Sequence, residues 1–134
     1  MIDYEIQLFD EVARAVLRDH PDAYVCSQHV ISPPAFPAVE FVEALNNTFS
    51  RTIDSSLEEK YASVTYTADV FSAALEDPKA ECRSIMGAVS DAMRKRNFKR
   101  VMCQPVDNAA DPSIYRMTAR FTGVVAKDGT YYGR

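Results

Sequence analysis

The chain has 134 residues, 47% of them apolar and 25% charged, the values of an ordinary globular domain long enough to bury a core unaided. Its 15 basic and 19 acidic residues leave it mildly acidic, which speaks against generic coating of nucleic acid but permits a local basic patch. No apolar run approaches the length of a membrane span, and the opening Met1-Ile2-Asp3-Tyr4-Glu5 is acidic where an export signal is basic. The expectation is one soluble domain over residues 1–134, with no export signal and no membrane partner.

The first element predicted is a helix over Ile2–Asp19. Ile2, Ile6, Phe9, Ala13 and Val16 recur at spacings of three and four, with Val12 and Leu17 widening the stripe. Acidic residues come first and Arg14 and Arg18 later, the order the helix dipole favours. Pro21 ends the helix by disfavouring helical backbone at His20. Tyr24–Ile31 then reads as a strand, Ser32–Pro37 as a stiff extended connector, and Ala38–Ala44 as a strand with Val39 and Phe41 on one face. Leu45–Glu59 is polar, weakly periodic and long for a connection; such stretches are usually functional or disordered. Tyr61–Ser72 alternates Val64, Tyr66, Ala68 and Val70 against Ser63, Thr65, Thr67 and Asp69, as a strand does.

A second helix runs from Lys79 to Arg96, with Asp77 as N-cap, Pro78 at its first position and Glu81 in its first turn. Cys82, Ile85, Met86, Val89 and Met93 form its apolar face. Strand Lys99–Gln104 and the turn-rich Pro105–Pro112 lead into Ser113–Ala126, a long alternation. There Tyr115, Met117, Ala119, Phe121 and Val125 point one way, and Arg116, Thr118, Arg120 and Thr122 the other. At about 3.3 Å per residue such a strand reaches about 45 Å, beyond the roughly 30 Å of a domain this size. It must therefore bend or pair with something outside the chain. Asp128-Gly129 is a hairpin turn that folds Thr130–Tyr132 back. The order α-β-β-loop-β-α-β-β-β predicts an α+β fold: a mixed, mainly antiparallel sheet with two helices packed on one face and a long polar hairpin loop.

Catalytic chemistry is sparse. Cys26, Cys82 and Cys103 are widely spaced and read as reduced, buried small hydrophobes. In a strand the spacing of Cys26 and His29 puts them on opposite faces, so no Cys–His dyad is expected. No His, Cys or acid spacing matches a metal site, and the acid pairs Asp10/Glu11, Glu58/Glu59 and Glu76/Asp77 sit where solvated faces explain them. Four glycines without a Gly-rich motif leave no phosphate cradle. The expectation is a protein that is not an enzyme and uses no cofactor or metal.

Arg94, Lys95, Arg96, Lys99 and Arg100 form a basic knot. One reading is that these cations complement the carbonyl end of a helix and keep an exposed turn soluble. The other is a contact surface for an acidic partner or DNA phosphates, to which Arg116 and Arg120 on the outward strand face lend weight.

The layout resembles the tail terminator (tail completion, head–tail joining) proteins of long-tailed bacteriophages. The similar parts are the amphipathic first helix, Phe36-Pro37-Ala38-Val39-Glu40-Phe41, and Val64-Thr65-Tyr66-Thr67-Ala68-Asp69-Val70-Phe71. So are Glu81-Cys82-Arg83-Ser84-Ile85-Met86, Asn97-Phe98-Lys99-Arg100, and Ile114-Tyr115-Arg116-Met117-Thr118-Ala119-Arg120-Phe121. The family consists of small α+β proteins that form a hexameric ring at the head-proximal end of the tail tube. The resemblance implies a structural virion protein, assembled in the host bacterial cytoplasm, that caps the tube and joins it to the head connector or stopper protein. DNA would pass through the lumen without sequence-specific binding. By this resemblance the polar loop, with Asn46, Arg51, Asp54, Glu58 and Glu59, faces the channel. Arg94, Arg96, Lys99, Arg100, Arg116 and Arg120 face a neighbouring subunit, the tail-tube protein or the connector. The long last strand would augment a neighbour's sheet. A head–tail connector or stopper, a DNA-binding adaptor of the phage neck, and a small enzyme with a cysteine nucleophile are the competing readings.

Overall fold

A computed structural model describes residues 1–30, 33–48, 61–108 and 111–132. Helix α1 spans Glu5–Asp19 and buries Leu8, Val12 and Val16, one side chain per turn on a single face. This face is rotated from the predicted stripe: Ile6 is 74% exposed and Leu17 39%, whereas Ile2, just before the helix, joins the core. Apolar residues occupy so many positions of α1 that the sequence admits two stripes, and packing against the second helix and the sheet selects one.

Strand β1 is only Tyr24–Cys26, well short of the predicted Tyr24–Ile31. It pairs with β2 (Ala38–Thr48) in parallel, so the chain must leave the sheet after Cys26 and return to the same end before β2 can begin. Strand β2 runs further than predicted because β3 (Tyr61–Ser72) offers it a ladder from Ala38↔Phe71 to Thr48↔Ala62, interrupted by a bulge between Glu43 and Leu45. The first residues of the expected polar loop are thus strand. Arg51, Asp54, Glu58 and Glu59 lie outside the described residues.

Helix α2 spans Pro78–Lys95 and buries Cys82, Ile85, Met86, Val89 and Met93, the predicted face. The Asp77 carboxylate accepts the Ala80 N–H at 3.1 Å, capping the first turn. At the other end Asn97 takes the left-handed conformation (φ 64°), the Phe98 N–H reaches the Met93 carbonyl at 3.1 Å and the Asn97 N–H the Arg94 carbonyl at 3.0 Å. This Schellman closure turns the chain sharply and delivers Phe98 into the core. Strands β4 (Lys99–Val106), β5 (Tyr115–Ala126) and β6 (Tyr131–Tyr132) follow.

The sheet order is β1-β2-β3-β5-β4, with β6 also on β5; only β1 and β2 are parallel, so the α+β, mostly antiparallel expectation holds. Strand β5 is interior. Strand β3, twelve residues like β5, pairs with it end to end, while β4 and then β6 occupy its other edge. The expectation that the long strand augments a neighbour's sheet is therefore corrected: its hydrogen bonds are spent inside the chain. The outer strands are β1 and β4, and β4 carries Lys99, a bulge between Arg100 and Met102, and Pro105, features that discourage strand addition.

Both helices pack on one sheet face around Phe41, Tyr66 and Phe121. The Phe41 and Tyr66 rings stack at 5.1 Å, and Phe98 meets Tyr66 edge-on at 5.7 Å. Gly123 makes room for that edge, since a Cβ there would lie 2.7 Å from the Phe98 ring.

Candidate functional site

The second face of the sheet carries the polar chemistry. Residues directly opposite in neighbouring strands share a face. The register aligns Cys26 of β1, Glu40 of β2, Asp69 of β3, Thr118 of β5 and Gln104 of β4 in one row across the sheet. Arg116, two residues before Thr118, reaches diagonally to Asp69 (Nη2–Oδ1 3.2 Å) and lies over the Phe71 ring at 5.3 Å.

This end of the face is covered. Glu40 is 1% exposed, Asp69 8% and Phe71 2%, and Pro33 in the β1–β2 crossover is buried too. His29, from the same crossover, places Nδ1 3.0 Å from Glu40 Oε1. Burial pushes the Glu40 carboxyl above its ordinary range; the Val30 amide and His29 pull it back, and Asp69 adds to the rise. Among the described residues, the buried polar atoms Glu40 Oε2 and Arg116 Nε keep no hydrogen-bond partner. One ligand atom each from His29, Glu40 and Asp69 lies within 4.8 Å of the others, the one such group found among the described residues.

Sequence spacing missed this cluster because its members come from three separate segments. It also placed Cys26 and His29 on opposite faces, which assumed that the strand continued. The strand stops at Cys26 and the chain bends at residues 27 and 28, bringing His29 over Glu40, the neighbour of Cys26 in the cross-sheet row. The Cys26 thiol nevertheless donates to the Gln28 carbonyl at 3.3 Å, and burial, with the Glu40 charge, pushes its pKa up. The one legible hint was an acid flanked by apolar residues in each of two strands, Val39-Glu40-Phe41 and Ala68-Asp69-Val70.

The basic residues do not form one surface. Arg94 bonds Asp91 at 3.4 Å, Arg96 grips both carboxylate oxygens of Glu11 and covers the Tyr131 ring, and Arg100 bonds Ser90 of α2 at 3.2 Å. These three lie on the helical side. Lys99 and Arg120 stand on the other face, opposite Thr122 and Thr67 in register, and both are exposed. Arg116 is held within the protein by Asp69 and Phe71, so it is not a free interface cation. Asn46, expected in a channel loop, instead bonds the Ile2 carbonyl at 2.7 Å and Glu43 at 3.3 Å, tying the start of the chain to β2.

No protein-family model matches the chain, and a search of curated proteins finds no match either. No helix among the described residues is long and apolar enough to cross a membrane. The geometry therefore has to speak for itself. It offers a half-open polar sheet face with two buried acids met by an exposed histidine at one end and exposed cations at the other. Of the thiols, Cys82 is buried and its pKa is pushed up to about 12, chiefly by burial, which suppresses the reactive thiolate.

Proposed function

We propose that this chain is a structural protein of a long-tailed bacteriophage virion. It would form a ring, hexameric by the resemblance, that caps the tail tube and joins the tail to the head connector, with DNA passing through the lumen. The observation that carries the reading is the one-sided architecture. Both helices cover one sheet face, while the other leaves Val42, Thr67, Thr118, Arg120 and Thr122 partly or wholly accessible, with Leu45 54% exposed at its rim. An open face of mixed threonine, cationic and apolar character suits packing against another subunit better than it suits turnover. The β2–β3 hairpin that carries Leu45 leads into residues 49–60, the stretch assigned to the channel by the resemblance.

Within this reading Lys99 and Arg120 are the cations of the open face; Arg94, Arg96 and Arg100 are exposed on the helical side, where each also bonds within the chain, and Arg116 is held by Asp69. The dispersal of the basic residues over two faces weighs against the DNA-binding adaptor, which needs a continuous basic track. Light scattering at rising concentration, with electron microscopy of assembled tails, tests the reading. Closed rings, lost in a Lys99→Glu/Arg120→Glu variant that melts like the wild type, are expected. A chain that stays monomeric at high concentration and never associates with tail tubes overturns it.

A further inference from the structure

The geometry points to a binding site for a divalent transition-metal ion of the zinc type, formed by His29, Glu40 and Asp69 under the β1–β2 crossover. Three observations carry it. The ligand atoms already lie within 4.8 Å of one another, although they come from a bend, β2 and β3. The register that sets Glu40 opposite Asp69 in adjacent strands holds the two carboxylates on rigid backbone, as a preorganised site requires. Glu40 is fully enclosed, its side chain 0% exposed, yet Oε2 has no partner. A carboxylate taken out of water is ordinarily either paired or bound to a metal; here Oε1 meets His29 and the Val30 amide acts on the group, while Oε2 keeps no hydrogen-bond partner among the described residues.

The donor set selects the ion. One imidazole with two carboxylates suits zinc and its transition-metal neighbours, whereas magnesium and calcium prefer oxygen alone. Metal–ligand bonds of about 2.0–2.2 Å require the three groups to draw closer. His29 is free to supply most of that movement, because its side chain is 63% exposed and its Nδ1 already faces Glu40. Arg116 occupies Asp69 Oδ1 and so orients the carboxylate, leaving its second oxygen for the ion. Two carboxylates outweigh one guanidinium, so the local charge is negative and favours a cation. Solvent on the open side of His29 supplies the entry path and a remaining coordination position.

The experiment is titration of the chelator-treated full chain with zinc chloride by calorimetry, repeated with cobalt chloride to read its visible absorption bands. It is run in a Cys103→Ser background, because that exposed thiol would otherwise bind zinc itself. One equivalent bound per chain, with affinity falling about tenfold or more in both His29→Ala and Glu40→Gln, is expected. His29→Ala alters a mostly exposed side chain, so it decides the matter even if Glu40→Gln does not fold. Absence of binding at micromolar zinc, or unchanged stoichiometry and affinity in His29→Ala, overturns the site. Displacement of zinc by millimolar magnesium overturns the assignment of the ion.

Discussion

The two faces of one sheet obey different rules, and β5 shows both along its length. Toward the helices, Met117, Ala119, Phe121, Gly123 and Val125 are buried without interruption. Toward the other side burial is graded: Arg116 is partly enclosed and paired, Thr118 is intermediate and Arg120 is exposed. The helical face is closed by elements whose apolar stripes match it. Among the described residues, the open face is closed where residues 27–30 and 33–37 pass, and what is enclosed there includes the charged Glu40 and Asp69. The helices close their face over an apolar core, whereas the crossover closes part of the other face over acids carried by the strands themselves, which then need the partners His29 and Arg116.

The largest expected effect belongs to the helical face. Phe121→Ala removes a ring that is 1% exposed and should cost about 3–5 kcal/mol in urea unfolding. A loss below about 1 kcal/mol would mean that this face is not the tight core described. Gly123→Ala asks for space on the same face. Its new methyl would meet the Phe98 ring at 2.7 Å, and a cost of about 1–3 kcal/mol is expected from the same unfolding measurement.

On the open face the contrast lies between two arginines four residues apart. Arg116→Ala deprives the largely buried Asp69 of its partner and strips the Phe71 ring, at an expected cost of about 1–3 kcal/mol. Arg120→Glu should change the monomer's stability by less than about 0.5 kcal/mol, since it is exposed and makes no ion pair among the described residues. Equal effects in thermal melts would erase the distinction between the covered and uncovered ends.

Between these in size is a pH effect at the rim of the helical face. Burial, with Asp3 and Glu5 nearby, raises the Glu43 carboxyl above its ordinary value, although the Tyr66 hydroxyl and Asn46 donate to it. A raised acid contributes stability below its unfolded pKa and loses that contribution as pH rises through its folded one. Glu43→Gln, which keeps the acceptor for Tyr66, should therefore raise the melting temperature at neutral pH and leave it nearly unchanged in acid. A lower melting temperature at neutral pH in that variant would show that the charge itself is stabilising.

Local pattern was sufficient wherever one strong signal acted alone. The Asp77-Pro78 start, the buried face of α2 and the limits of β3 were legible because capping chemistry and a clean period leave one solution. The face of α1 was not legible, since an apolar surplus makes two rotations of the helix equally plausible until the sheet is in place. Nor was the end of β1 legible, because pairing in parallel, which forces the chain out at Cys26, is a long-range choice.

By itself the sequence determined the element order, the α+β class and the alternation that gives β5 two unlike faces. Only the tertiary structure decided that β5 lies inside the sheet, that Arg116 is spent on Asp69, and that His29, Glu40 and Asp69 meet. The physical reason is range. Period and capping act over a few residues, whereas cross-strand register joins positions tens of residues apart, and it is register that brings these side chains together.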